Sequence, residues 1–102
     1  MTIKKLLISN RGEIASRIIK SAHDMGITCV AIYTEADKNT PYVREADQSF
    51  KLSDSYLNAK EILEIAKKNN VDAIHPGYGF LSENANFANN VKKAGMKWVG
   101  PS

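Results

Sequence analysis

Two glycine-bearing stretches hold the residues best placed to meet a ligand. The first is His75-Pro76-Gly77-Tyr78-Gly79-Phe80-Leu81-Ser82-Glu83-Asn84, where a histidine and two aromatics lie among two glycines and a proline. Glycine lets a backbone take positive φ and approach another group closely. Pro76 holds His75 extended, so the apolar run before it ends there. A tyrosine between glycines is thereby offered outward, where its ring can lie against an apolar ligand. The competing reading is a tight turn whose Tyr78 and Phe80 turn inward and cap the core. The second stretch is Asn10-Arg11-Gly12-Glu13, which opens a helical pattern. A helix N-terminus there can hold one anionic group. Arg11 can pair with a carboxylate, or fix the turn by bonding Glu13 or a neighbouring carbonyl.

Other chemistries find little support. A dinucleotide site needs G-x-G-x-x-G after the first strand, and only Gly12 is present, flanked by Arg11 and Glu13. Glu35 follows the second strand, where a ribose-binding acid would stand, but alone it carries little weight. His75, ending a strand before proline, reads as a structural histidine, and His23 as a solvated one on the polar side of its helix. The two are not at metal-ligand spacing and neither is expected to have a cysteine partner near it, so no metal site is expected. Ser82 lacks the context of a nucleophile elbow. Lys20 and Asp24 form an i, i+4 pair on an exposed helix face, either an ordinary surface pair or part of a protein contact. No acid and base pair can be assigned, and no catalytic residue is expected within the chain.

Composition is that of an ordinary globular domain. The chain has 102 residues, 43% of them hydrophobic and 25% charged. That length is one domain able to bury about two-thirds of its unfolded surface. No apolar run approaches the ~20 residues of a membrane span, and residues 1–6 carry no signal-peptide core. The single cysteine, Cys29, lies in an apolar run and reads as a buried thiol, which together with the lack of a signal predicts a cytoplasmic protein. A net charge of +3 suits an anionic ligand, but the lysines are scattered. Without a basic stripe or interleaved aromatics, nucleic-acid binding is not expected.

The elements that position these residues alternate. Strands are predicted over 3–9, 27–33, 48–53, 71–75 and 97–99. A helix follows the first turn, with Ile14, Ala15, Ile18, Ile19, Ala22 and Met25 on one stripe and Gly26 as its C′ residue. A short helix is expected over 42–46. Another begins at Asn58, with Glu61 completing a capping box and Leu57 and Ile62 a hydrophobic staple, and closes at Asn69-Asn70. A fourth starts near Ser82 as N-cap and ends at Gly95. Strands joined by helical crossovers predict an α/β fold with a doubly wound parallel sheet of about five strands. In such a sheet the loops after every strand share one rim, where ligands bind. Residues 10–13, 34–40, 53–56, 76–82 and 100–102 are therefore expected together.

Four blocks stand in the order and spacing of one family. They are Ile8-Ser9-Asn10-Arg11-Gly12-Glu13-Ile14-Ala15, Glu35-Ala36-Asp37-Lys38, Ser55-Tyr56-Leu57-Asn58 and the ten residues from His75 to Asn84. Over essentially its whole length the chain resembles the N-terminal domain of biotin carboxylase, found in acetyl-CoA, propionyl-CoA and pyruvate carboxylases. The ten-residue block is highly specific; the Asn10–Glu13 turn is specific in combination with it. The resemblance implies a Rossmann-like lobe that precedes an ATP-grasp domain, here absent along with the C-terminal domain. It implies an enzyme that uses ATP, Mg²⁺ and bicarbonate to carboxylate biotin on a carrier protein through carboxyphosphate, with those ligands held by residues beyond Ser102. The fragment alone would then be inactive. Tyr78 and Gly79 match the family's loop that lines the biotin pocket, beside a cleft rim of Asn10, Arg11, Gly12 and Glu13. Lys20 and Asp24 match charged positions of its homodimer interface. Implied partners are a biotin carboxyl carrier protein and a carboxyltransferase subunit or domain. The chain departs from the family between Leu52 and Tyr56, where many relatives carry a longer Gly/Pro-rich loop. Two other readings remain: a non-catalytic binding or dimerisation module that retains this lobe, and the equivalent lobe of another ligase, such as a carbamoyl-phosphate or purine-pathway enzyme. The glycine-tyrosine loop argues against the latter.

Overall fold

A computed structural model describes residues 2–100. Five strands form one parallel sheet: β1 (Lys5–Ile8), β2 (Thr28–Tyr33), β3 (Gln48–Lys51), β4 (Ala73–His75) and β5 (Lys97–Trp98). Their order is β3-β2-β1-β4-β5, and every neighbouring pair is parallel. Four helices make the crossovers: α1 (Gly12–Asp24), α2 (Pro41–Glu45), α3 (Ala59–Lys68) and α4 (Ala85–Lys93).

The period-2 alternation of the strands divides the core into two layers. Leu7, Val30, Ile32 and Ile74 point to one face, where Ile62 and Ala66 of α3 and Phe87 and Val91 of α4 cover them. Leu6, Ile8, Cys29, Ala31 and Ala73 point to the other, under Ala15, Ile19 and Ala22 of α1 and Tyr42 of α2. The sheet is therefore buried on both sides, as its apolar runs predict. Met25, the last residue of the predicted α1 stripe, is 75% exposed and lies outside that core.

Strand ends are shorter than the apolar runs, yet their hydrogen bonding continues past them. Thr28 N–H donates to the Lys4 carbonyl (3.0 Å), Ser9 N–H to that of His75 (2.9 Å) and Val99 N–H to that of Ile74 (2.9 Å). Helices α1, α3 and α4 all close with the paired bonds of a Schellman motif. Gly26 (φ +76°), Asn70 (φ +57°) and Gly95 (φ +88°) take the left-handed C′ position. Ile27, Val71 and Met96 donate back to Ala22, Ala66 and Val91.

The starts of α1 and α4 differ from the sequence reading, and that of α3 keeps its cap but not its capping box. Helix α1 takes in Gly12 and Glu13, so only Ser9, Asn10 and Arg11 separate it from β1. The N-cap of α4 is Asn84, whose side chain accepts from Phe87 N–H at 2.9 Å. Ser82 instead belongs to the preceding turn, where its N–H donates to the Gly79 carbonyl at 2.9 Å. At α3, Asn58 caps as expected, accepting from Glu61 N–H at 3.1 Å. The Glu61 carboxylate, however, does not return to Asn58: it accepts from Ser53 N–H (2.9 Å) and Ser53 Oγ (2.6 Å). The short 53–55 loop is thus folded onto α3 rather than left open. Leu57 is 60% exposed while Ile62 is fully buried, so the staple is not closed.

Candidate functional site

The sheet order fixes where the rim opens. From β1 the chain winds outward through β2 to β3, then crosses back to lay β4 on the other side of β1. The loops after β1 and β4 leave in opposite directions, and a crevice forms at that reversal. The two stretches singled out from the sequence are the two loops of this switch point.

Asn10 joins them. It is 1% exposed, and its Nδ2 donates to the Pro76 carbonyl at 2.8 Å and the Tyr78 carbonyl at 2.7 Å. Its Oδ1 accepts from Arg11 N–H at 2.9 Å, which fixes the amide's orientation. Gly77 (φ +64°) passes so close that a Cβ there would lie 2.6 Å from Asn10 Nδ2. Gly79 (φ +69°) has nothing within 4 Å of the equivalent position, so its outer face is open. Between them Tyr78 is 78% exposed, which decides against the inward-capping reading for that ring. With His75 it lines an apolar groove of about 390 Å³ whose walls include Ile14, Ile18, Met25 and Val99. His75 itself is half-buried, and burial lowers its pKa. Its Nδ1 accepts from Gly77 N–H at 3.1 Å, so the neutral ring carries its proton on Nε2. That is the structural histidine the sequence predicts.

Phe80 behaves differently from Tyr78. It takes φ +49°, uncommon for an aromatic, and is 44% exposed. Its ring packs against Tyr56 with centroids 5.4 Å apart. Tyr56 belongs to a buried polar chain along the rim. Arg11 binds Asp37 bidentately, Nε to Oδ2 and Nη2 to Oδ1, both at 2.6 Å. Tyr56 OH donates to Asp37 Oδ2 at 2.6 Å and accepts from Thr34 N–H at 3.2 Å. Tyr42 OH lies 2.6 Å from Tyr56 OH and 3.0 Å from the Ile32 carbonyl; since the Tyr56 proton goes to Asp37, the single Tyr42 proton is shared between these two acceptors. The guanidinium beside Asp37 holds that carboxyl below the usual range, and Asp37 in turn raises the Arg11 pKa. Burial and the hydrogen bond to Tyr56 push the Tyr42 phenol up. Arg11 therefore pairs with a carboxylate of its own chain, not with Glu13, which is bonded by Arg17 at 3.2 Å. Asp37 and Tyr56 stand in two of the blocks that carry the family resemblance, but the sequence assigns no role to them or to Tyr42; the pairing of a carboxylate with an arginine 26 positions away is not visible until the rim is assembled.

The rim residues do not suit a phosphate. Glu13 sits in the first turn of α1, and Arg11 is committed to Asp37. Glu35 is held by Lys38 (2.6 Å) and Lys51 (2.5 Å), which lower its pKa to about 2, so it is not free for a ribose. Lys20 and Asp24 lie 3.9 Å apart on the outer face of α1, 82% and 71% exposed. His23 departs from expectation: rather than being merely solvated, its Nε2 lies 2.8 Å from Asp47 Oδ2. Nor is it remote from a cysteine, since His23, Cys29 and Asp47 present ligand atoms within 4.8 Å of one another.

A parallel α/β lobe in the 3-2-1-4-5 order, with a glycine-tyrosine loop tied to the first turn at its switch point, has the architecture of the Rossmann class. Comparison with known proteins narrows this. Residues 2–102 match the family model for the biotin carboxylase N-terminal domain, and the chain belongs to that family. Biotin carboxylase 1 of Bacillus subtilis is 52% identical over 98% of this chain, which covers 23% of that relative. Pyruvate carboxylase of Staphylococcus aureus is 50% identical over 97% of the chain and is covered over 9% of its length. Among solved structures, the biotin carboxylase domain dimer of Hydrogenobacter thermophilus 2-oxoglutarate carboxylase superposes with a TM-score of 0.95. It is 41% identical, with 99% of this chain and 23% of that one covered; it was determined with MgADP, ADP and bicarbonate. The chain thus spans less than a quarter of the biotin carboxylases it matches.

Proposed function

We propose that this chain serves as the N-terminal lobe of an ATP-dependent biotin carboxylase, in which Tyr78 and Gly79 form a wall of the biotin site. The observation that carries the reading is the exposed Tyr78 ring on a loop whose carbonyls are clamped by buried Asn10. A rigidly held aromatic face with an open glycine beside it suits a flat, largely apolar bicyclic ligand. The Asn10–Glu13 turn supplies the rim of the same cleft. Its residues do not fit a nucleotide: a lone glycine, an engaged arginine and a first-turn glutamate leave no cradle for phosphates. ATP, Mg²⁺ and bicarbonate would accordingly be held by residues outside this lobe, and carboxyl transfer to carrier-bound biotin would need the complete enzyme.

Lys20 and Asp24, exposed on the outer face of α1, are proposed as charged contacts of a homodimer of that enzyme. The biotin carrier and a carboxyltransferase are the partners such an enzyme would work with.

Kinetics of the complete enzyme test the site. Tyr78→Ala should raise KM for free biotin while the bicarbonate-dependent ATPase without biotin stays at its parental rate. An unchanged KM refutes the biotin assignment. For the dimer, Lys20→Glu should lower the dimer fraction in sedimentation; an unchanged fraction leaves an ordinary surface pair.

A further inference from the structure

The cluster of His23, Cys29 and Asp47 lies at the edge of the sheet opposite the glycine-tyrosine loop. His23 lies in the last turn of α1, Cys29 is near the N-terminal end of β2, and Asp47 immediately precedes β3. We propose that these three side chains form a binding site for a zinc-like divalent ion that ties α1, β2 and β3 together.

The donor set points to the ion. An imidazole nitrogen, a thiol sulfur and a carboxylate oxygen suit a borderline-soft metal and disfavour calcium or magnesium, which take oxygen ligands. The three donor atoms lie within 4.8 Å of one another. Tetrahedral zinc, with bonds of about 2.0–2.3 Å, separates its ligand atoms by about 3.3–3.7 Å. Closing on an ion therefore needs shifts of up to about 1.5 Å. The two ligands that would move are the accessible ones, with His23 and Asp47 side chains 39% and 46% exposed. Cys29 is fully buried and fixed by its strand.

The surroundings already orient the ligands. Asp47 Oδ2 accepts from Cys29 N–H at 2.8 Å, and Asp47 N–H donates to the Cys29 carbonyl at 3.0 Å. This pinch fixes the carboxylate beside the thiol, as outer hydrogen bonds do for metal ligands generally. Burial and the Asp47 charge push the thiol up to about 11, so without a cation it stays protonated. Binding breaks the S–H bond, forms the metal–sulfur bond and releases one proton to solvent; thiolate and carboxylate then balance the two positive charges of the ion. A fourth position is left on the solvent side, between the two exposed ligands, for water.

Cobalt(II), which takes zinc's geometry and absorbs visibly, tests the site on this 102-residue chain. The expected result is one cobalt per chain with a thiolate-to-cobalt charge-transfer band, displaced by zinc. His23→Gln, at an accessible position, should weaken cobalt binding at least tenfold with an unchanged circular dichroism spectrum, and Cys29→Ser should abolish the band. Zinc should raise the melting temperature of the parent and raise it less in His23→Gln. Absence of the band in the folded parent chain, or equal affinity in His23→Gln, overturns the proposal and leaves a surface ion pair beside a buried thiol.

Discussion

Asn10 and Tyr78 stand 68 positions apart in the chain and are joined by a 2.7 Å hydrogen bond from the Asn10 side chain to the Tyr78 carbonyl. A second bond from the same nitrogen reaches the Pro76 carbonyl at 2.8 Å. Both protons of one buried amide are thereby spent on the loop that carries the exposed ring. The loop's far end is held by the packing of Phe80 on Tyr56. Tyr56 in turn bonds Asp37, the partner of Arg11. Adjacent residues of the first turn thus hold both ends of one loop, Asn10 directly and Arg11 through Asp37 and Tyr56.

Removing that amide should be costly. Asn10→Ala leaves two loop carbonyls without their donor, each worth about 1–3 kcal/mol when buried. Allowing for partial access of water at Tyr78, the loss expected is about 2–4 kcal/mol in urea unfolding. Asn10→Asp should be worse despite its shape, because a carboxylate oxygen would face two carbonyl oxygens. If the aspartate variant proves the more stable of the two, the donor assignment is wrong.

The Arg11–Asp37 pair makes a prediction about acid. The folded Asp37 pKa lies below its ordinary value of 3.8, through the hydrogen bond from Arg11. The unfolded chain therefore takes up that proton first. The pair's stabilisation is complete above pH 3.8 and is lost as pH falls through the lower folded value. Asp37→Asn should cost about 1–2 kcal/mol near neutral pH, discounted for the half-exposed guanidinium, and should flatten the fall in stability below about pH 4. Glu35 and Asp47 are depressed as well, so part of the slope should remain. A variant with the parental acid slope would mean that the pair does not form.

Ser9 supplies a contrasting case. It is 1% exposed, and its Oγ is the one buried side-chain polar atom with no hydrogen-bond partner among the described residues. An unsatisfied buried hydroxyl costs stability, so deleting it should cost nothing. Ser9→Ala is expected to leave the urea midpoint unchanged or raise it, by up to about 1 kcal/mol of stability. A clear loss would reveal a partner for that hydroxyl.

What was legible in the sequence followed from local rules. Apolar runs between helical stripes gave the parallel sheet. Gly26, Asn70 and Gly95 marked helix ends because a left-handed residue is needed there. The shared rim followed from the parallel sheet alone. Tertiary choices were not legible. Ser82 and Asn84 are both good caps, and the turn bond from Ser82 to Gly79 decides between them. Glu61 satisfies the capping-box pattern yet reaches Ser53, because the short loop brings that residue within range. Asp37 and Asp47 acquire their partners only when the rim turns assemble and β3 pairs with β2. In each case the pattern fixed which residues could bond, and packing chose the bond.

The two loop glycines separate these local and tertiary demands experimentally. Both have positive φ, +64° at Gly77 and +69° at Gly79, so alanine at either costs about 1 kcal/mol or more for the backbone alone. At Gly79 a Cβ meets nothing within 4 Å. At Gly77 it would lie 2.6 Å from Asn10 Nδ2 and 3.0 Å from Ile14 Cγ2. Asn10 cannot swing aside, since three hydrogen bonds hold it in a buried position. Gly77→Ala should therefore break the amide's contacts as well as strain the loop, for a total of about 2–4 kcal/mol. Gly79→Ala should stay near 1 kcal/mol. In an Asn10→Ala background the Gly77 penalty should shrink toward that of Gly79, because the obstructing amide is gone and the two sites share one contact. Equal penalties at the two glycines in the parent, or additivity with Asn10→Ala, would mean that the loop does not rest on that side chain.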